Sequence, residues 1–397
     1  MKPKFTWPLM QDNITKGDRR ALIHFLEKDE VLTQSKQVEA FEKEWSDWLG
    51  VKYSVLVNSG ASANLLSMHV LREVYGRGQV IVPALTWVSD IASIFQAGLK
   101  PVFVDINPQT LGLDSEKVLK HLGMNTIGVF LTHLLGFNAL DTTLLQELKK
   151  RKIPLIEDCC EAHGATFKGR KVGTFGLMSN FSFYYAHHMT TIEGGMISTN
   201  DFKVYDMCRM MRSHGLLRES KDEALKKKML LSQPSLNSQF VFMYPAYNVR
   251  STELNAVLGR NQLKRLDANN KKRHKNFEIF LKHLNPSFYA TDFKTEGSVN
   301  YAFAVVLQKA LNAKERSIAI EEALKENGVE FRRGLAGGGN QLRQPYLKRI
   351  SLYSDNVWHY PNTEHVHWYG WYVGNYPDLK KERIVWLADV LNAAIKI

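Results

Sequence analysis

Cysteine is scarce in this chain, with Cys159, Cys160 and Cys208 the only three among 397 residues. Two of them are adjacent, which suits neither a disulfide framework nor a Cys-x-x-Cys metal site, so a reducing cytoplasm is the expected compartment. Long apolar runs are also missing. No stretch reaches the roughly 18 residues that a bilayer-spanning helix requires. The opening residues MKPKFTWPLMQDNITKGDRR hold no apolar core of a secretory leader, and no membrane attachment is expected. Internal repeats, low-complexity tracts, zinc-finger spacings and long basic tails are absent as well, and with them the usual signs of a nucleic-acid binder.

What remains is ordinary globular material, 44% hydrophobic and 23% charged. The formal net charge of +12 is spread over short runs such as LKKRK (148–152), LKKKM (225–229) and NKKRHK (270–275). Such a surface favours capture of an anionic small molecule. The length predicts two or three domains, or one large domain with an appendage.

From about 50 to 200, short Val- and Ile-rich runs alternate with helical patterns. YSVLV (53–57), QVIVP (79–83), PVFVDI (101–106), TIGVFLTH (126–133) and IPLIED (153–158) read as strands, with helices over 60–73, 87–95, 115–122 and 144–150. That alternation predicts a largely parallel α/β sheet. SNFSFYY (179–185) and GMIST (195–199) read as further strands. Beyond about 250 come amphipathic helices (251–285, 313–326 and 379–396) and one strand, YAFAVVL (301–307). The expected organisation is a large domain over 1–260 and a smaller C-terminal α+β domain over 261–397.

Ligands of open α/β sheets sit at the carboxyl ends of strands. After the first strand, NSGASANLL (58–66) opens a helix with Gly60, Ala61 and Ser62, leaving amide N–H groups to face an anion; without a following Gly-Lys-Ser/Thr it is no Walker loop. After the second, Trp87 heads a helix, where it either packs or stacks on a planar ring. In LIEDCCEAHGA (155–165), Asp158 closes an apolar strand, with Glu161 and His163 a turn further on. A strand-end carboxylate there needs a charged or hydrogen-bonded partner, and the protonated nitrogen of a heteroaromatic ring supplies one. RMMRSHGLLRE (209–219) offers Arg212, His214 and Arg218 as cations for carboxylate or phosphate. AYNVRSTELN (246–255) places Asn248 and Arg250 before a helix that Ser251 or Thr252 can cap.

A phosphate cradle, an aromatic and a strand-end acid in this order suggest a vitamin B6 site, which normally includes a lysine that tethers the cofactor. FSFYYAHHMTTIEGGM (181–196) contains none. It has His187 and His188 between the Ser-Phe strand and the Gly-Gly turn, without the further ligands a metal site would need.

These motifs, with VLTQSKQVEAFEKEWSDWLG (31–50), VPALTWVSDIASIFQAGLKPVFVDI (82–106), THLLGFNALD (132–141) and WYGWYVGNYP (368–377), resemble the DegT/DnrJ/EryC1/StrS sugar aminotransferase family over nearly the whole chain. The resemblance implies a fold-type I, aspartate-aminotransferase-like fold, with a large mixed, mostly parallel sheet flanked by helices. It implies pyridoxal 5'-phosphate, exchanging with pyridoxamine 5'-phosphate, as the cofactor. Gly60, Ala61, Ser182 and Asn248 of a neighbouring copy would hold the phosphate, which makes a homodimer the minimal active unit. Trp87 would stack on the pyridine ring, Asp158 would pair with its nitrogen, and Glu161, where relatives commonly have Gln, would approach its hydroxyl.

His187 stands at the family's lysine position and would act as the base. Within the family this pattern is similar to the lysine-lacking branch that removes the C3 hydroxyl of GDP-linked 4-keto-6-deoxymannose, with L-glutamate as amino donor and a 4-keto-3,6-dideoxy sugar and ammonia as products. His188, His214, Arg218, Arg250 and Arg332 are the expected substrate contacts. The iron–sulfur 3-dehydratases also carry histidine here, but three cysteines without a fourth partner argue against a cluster. The rival readings are an aminotransferase with histidine for lysine and a non-catalytic cofactor-binding protein. The run GGG (337–339) departs from the family pattern, so the nucleotide is the least determined part of the reading.

Overall fold

A computed structural model describes residues 5–310, 312–350 and 356–395. The main sheet has seven strands: β1 (Tyr53–Val57), β2 (Gln79–Pro83), β3 (Lys100–Val104), β4 (Thr126–Thr132), β5 (Leu155–Asp158), β8 (Met178–Ser182) and β9 (Gly195–Thr199). Between β5 and β8 lies a small hairpin of β6 (Thr166–Phe167) and β7 (Arg170–Lys171). The order across the sheet is β1-β9-β8-β5-β4-β2-β3. β2, β3, β4, β5 and β8 pair in parallel, while β9 runs antiparallel to both neighbours, β1 and β8. β5, β8 and β9 are buried along their whole length, as expected of strands covered on both faces.

The parallel arrangement brings the ends of β1, β4, β5 and β8 to one edge, where the candidate residues gather. A second sheet joins β10 (Ala302–Val306), β11 (Phe331–Arg333) and β12 (Gly370–Gly374) in the order β10-β12-β11. β12 falls inside the WYGWYVGNYP motif, which had not been read as a strand. The helix Glu253–His283 runs through residue 260, where the domain boundary was expected, and packs against the helices Lys36–Leu49, Lys16–Leu26 and Lys381–Ala393. The closing helix ends at Ala393 within the described residues; the expected position 396 lies outside them.

Two packing devices fix the histidine pair. Trp45, fully buried, meets Phe181 and Phe183 edge-on at 4.9 and 5.0 Å, holding β8 and its continuation against helix Lys36–Leu49. The chain after the pair is tied to helix Glu253–His283. Gln262 Oε1 accepts from the Thr190 amide at 3.1 Å, and Asn255 Nδ2 donates to the carbonyls of Thr191 and Glu193 at 2.7 and 3.0 Å.

Candidate active site

The helix Gly60–Tyr75 begins directly after β1. Ser59 caps it, its hydroxyl accepting from the Ser62 amide, while the first-turn amides of Gly60 and Ala61 have no intrahelical acceptor by the geometry of any helix start. Gly60 is required here: a Cβ would lie 2.6 Å from Ser182 Cβ and 2.9 Å from Cys160 Sγ. The helix start and Ser182 are thus in contact at the floor of the sheet edge, forming the small-residue cradle an anion needs.

Trp87 precedes helix Val88–Gln96, and its side chain is 53% exposed. It belongs to no buried cluster, which leaves a ring face available for stacking. Asp158, at the end of β5, is buried; its Oδ1 accepts from the Cys160 amide at 2.8 Å and its Oδ2 from Asn64 Nδ2 at 3.2 Å. Glu161 binds the Leu135 amide (2.7 Å) and the Tyr301 hydroxyl (3.0 Å), and its enclosure raises its pKa to about 7.

His187 closes a turn, its amide donating to the Tyr184 carbonyl at 3.0 Å. Its ring stands edge-on to Tyr184 (5.9 Å) and Tyr301 (5.8 Å), and its Nδ1 has no hydrogen-bond partner. Burial lowers its pKa to about 4, an effect that outweighs the pull of Asp158, and Arg273 lowers it further. The imidazole is therefore neutral near pH 7, with a lone pair free to take a proton. His188 differs. It is 2% exposed, and its Nε2 donates to the Val299 carbonyl at 2.5 Å. Its ring lies against those of His163 (5.2 Å) and Tyr301 (5.9 Å), deeper in the fold than the partly buried His187.

The remaining expected contacts separate. His214, in the left-handed region (φ 61°), and Arg218 are exposed, Arg218 lying over the Phe240 ring at 5.6 Å. Asn248 is exposed and accepts from Arg250 Nε at 3.1 Å, on a segment that pairs with the end of β1. Arg332 is exposed on β11 and paired with Glu330 at 3.1 Å. Arg212 is buried and already paired, its Nη1 donating to Glu42 Oε1 at 2.6 Å and to the Leu56 carbonyl at 3.1 Å.

Sequence reasoning missed Tyr301, Arg273 and the polar group around Asp158. Tyr301 was taken as the first residue of a strand, yet it joins Glu161 to the rings of both histidines. Its place just before β10 was the available signal. The described residues also include a compact His133–Glu157–Cys159 group. There Glu157 already accepts from the amides of Gly173, Phe175 and Gly176, and His133 Nδ1 accepts from Ala139, so these side chains serve to pin loops.

Residues 12–391 match the model of the DegT/DnrJ/EryC1/StrS aminotransferase family, and the chain belongs to that family of pyridoxal-phosphate-dependent sugar-modifying enzymes. It is 30% identical to the GDP-4-keto-6-deoxy-D-mannose 3-dehydratase of Yersinia pseudotuberculosis, over 98% of this chain and 99% of that one. It is 26% identical to the GDP-perosamine synthase of Escherichia coli O157:H7, over 97% of each. Among solved structures, the E. coli GDP-4-keto-6-deoxy-D-mannose-3-dehydratase with bound hydrated PLP superposes with a TM-score of 0.85 at 29% identity, covering 98% of this chain and all of that one.

Proposed function

We propose that the protein is a nucleotide-sugar 3-dehydratase that binds pyridoxal phosphate and its amine form without a covalent tether. On this reading it takes L-glutamate as amino donor and removes the C3 hydroxyl of GDP-4-keto-6-deoxymannose. The observation that carries the reading is His187, neutral and with a free ring nitrogen, at the end of the Ser-Phe strand where the family has lysine. The two similar 3-dehydratases described above support the substrate.

The residues present fit the cofactor. The Gly60 cradle that a Cβ would fill, with Ala61 and Ser182, suits a phosphate. The exposed face of Trp87 suits a pyridine ring, and the buried Asp158 carboxylate suits its protonated nitrogen. Glu161 would face the ring hydroxyl. When bound, the amine form supplies a nucleophile for the C4 ketone and an electron sink that lets the C3 hydroxyl leave. His187 takes the proton whose removal starts elimination and can return it to the departing hydroxyl. Tyr301, itself bonded to Glu161, stands edge-on to the imidazole and limits how its ring can turn. Asp158 would keep the ring nitrogen charged.

The basic surface, with Arg218, Arg250, Arg332 and His214, favours a nucleoside diphosphate. The exposed Phe240, Phe242 and Tyr247 beside Asn248 support a homodimer in which Asn248 completes the partner's phosphate site. Residues 1–260 would then form the cofactor domain and 261–397 the smaller one. The family likeness and the cysteine usage support work in the cytoplasm without an iron–sulfur cluster.

A glutamate-dependent aminotransferase is the second reading, favoured by the similarity to GDP-perosamine synthase. Loading the protein with pyridoxal phosphate and adding glutamate should convert the aldehyde-form absorbance to that of the amine form. No spectral change would count against both enzymatic readings. Turnover against GDP-, CDP-, UDP- and dTDP-linked 4-keto-6-deoxy sugars then tests the nucleotide, with preference for GDP expected.

A further inference from the structure

Asp90 is a second carboxyl group beside Asp158 that the proposed chemistry leaves unexplained. It lies in the first turn of helix Val88–Gln96 and is 0% exposed. Asn64 Nδ2 bridges the two acids, donating to Asp90 Oδ1 at 2.8 Å and to Asp158 Oδ2 at 3.2 Å. The bridging amide is itself oriented: Asn64 Oδ1 accepts from Asn180 Nδ2 at 2.9 Å, and Asn180 Oδ1 accepts from the Ser67 hydroxyl at 2.7 Å. On the other oxygen of Asp90 sit the hydroxyls of Thr86 and, at 2.7 Å, Thr132, themselves 2.8 Å apart. The titratable groups facing Asp90 are Asp158, Cys160 and Tyr346; none brings a positive charge.

Two carboxylates cannot both stay ionised in a buried pocket without a cation, so the pair keeps one proton. The surroundings decide which acid holds it. Asp158 has a backbone amide on its other oxygen, which favours the anion. Asp90 has two hydroxyls 2.8 Å apart, so one can turn to donate to the other and accept a hydrogen bond from the protonated acid. Burial and the neighbouring Asp158 push the Asp90 pKa well above the usual carboxylate range.

We propose that Asp90 is a positioning residue held as the neutral acid, which confines the single negative charge of the pair to Asp158 and so sets the protonation of the cofactor's ring nitrogen. The inference rests on the reading that Asp158 pairs with that nitrogen.

Two measurements test it, one without cofactor. A group neutral in the fold and ionised in the unfolded chain costs stability as pH rises above its unfolded value. The Tm advantage of Asp90→Asn over the wild-type apoprotein should therefore grow from about pH 4 to about pH 7. A difference that stays flat with pH overturns the proposal. In protein loaded with cofactor labelled with 15N in the ring, the nitrogen shift should read protonated in the wild type and in Asp90→Asn, which mimics the neutral acid. Asp90→Val, which removes the shortest of the bonds made by Asn64 Nδ2, should move the ring-nitrogen titration and weaken cofactor binding by about tenfold. If Asp90→Asn moves the nitrogen as far as Asp90→Val, or if neither variant moves it, the proposal fails. Asp158→Asn separates the two levels: a ring nitrogen still protonated in that variant refutes the pairing with Asp158 itself.

Discussion

His187 carries the proposed chemistry, and its neighbours set what it can do. Replacing it with Asn removes the base but keeps a polar group near the position of Nδ1, so turnover should fall by about 10²–10⁴-fold while cofactor affinity holds; equal loss of both would point to a damaged pocket. Single-turnover rates and a cofactor titration check this. The depressed pKa of His187 also predicts acid sensitivity. Its folded value of about 4 lies below the unfolded one, so its contribution to stability is complete above about pH 6.5 and is lost as pH falls through about 4. Glu161 has the opposite sign: with a folded pKa of about 7, the stability it contributes is present below its unfolded value and is lost as pH rises through about 7. A pH–rate profile with a step near 7 that vanishes in Glu161→Gln would confirm that this carboxyl titrates in the working site. At this scale the sequence showed Asp158, Glu161 and His187, because each follows a recognisable strand. It did not show Tyr301 or Asp90, whose roles come from partners 140 and 68 residues away in the chain. It separated His187 from His188 by the lysine position alone; the 2.5 Å bond that ties His188 to Val299 is visible only in the fold.

Strands with a period and composition of their own were legible at the level of elements. β1, β2 and β9 fall where the Val- and Ile-rich runs ended, and helix Ala313–Glu326 matches its amphipathic pattern. β11 was not legible because Phe331–Arg333 is only three residues long, and β12 because Gly370–Gly374 starts and ends on glycine and follows a helix without a break. The glycine run has a packing reason that only the fold supplies. Gly339 sits at φ 95°, where a Cβ would strike the His367 ring, and the next residue, Asn340, bridges to Leu85 just before Trp87. The loop thus fastens the second sheet to the strand end that presents Trp87. Two predictions belong here. Gly60→Ala should lower affinity for pyridoxal phosphate with little effect on the rate at saturation, read by titrating apoprotein. Removing Arg212 should destabilise the fold by about 3 kcal/mol, since buried Glu42 would lose its close cation and keep only the Leu56 amide and Arg209 at 3.9 Å; denaturant unfolding measures it.

For the whole molecule, the proposed homodimer makes the active site a property of two chains. His187→Asn and Asn248→Ala variants, each inactive alone, should regain activity when mixed and allowed to exchange subunits, because one of the two sites in the mixed dimer then holds both residues. A monomer by sedimentation, or no recovery on mixing, would contradict the shared site. The absence of lysine between β8 and β9 was the most informative feature of the sequence, and the structure puts there a neutral imidazole with an unpartnered nitrogen beside Tyr301. The most direct test is the fate of the sugar's C3 oxygen. Given GDP-4-keto-6-deoxymannose labelled with ¹⁸O at C3, glutamate and pyridoxal phosphate, the enzyme should release a 4-keto-3,6-dideoxy sugar without the label, together with one ammonia per turnover. An amino sugar that keeps the label would contradict the account.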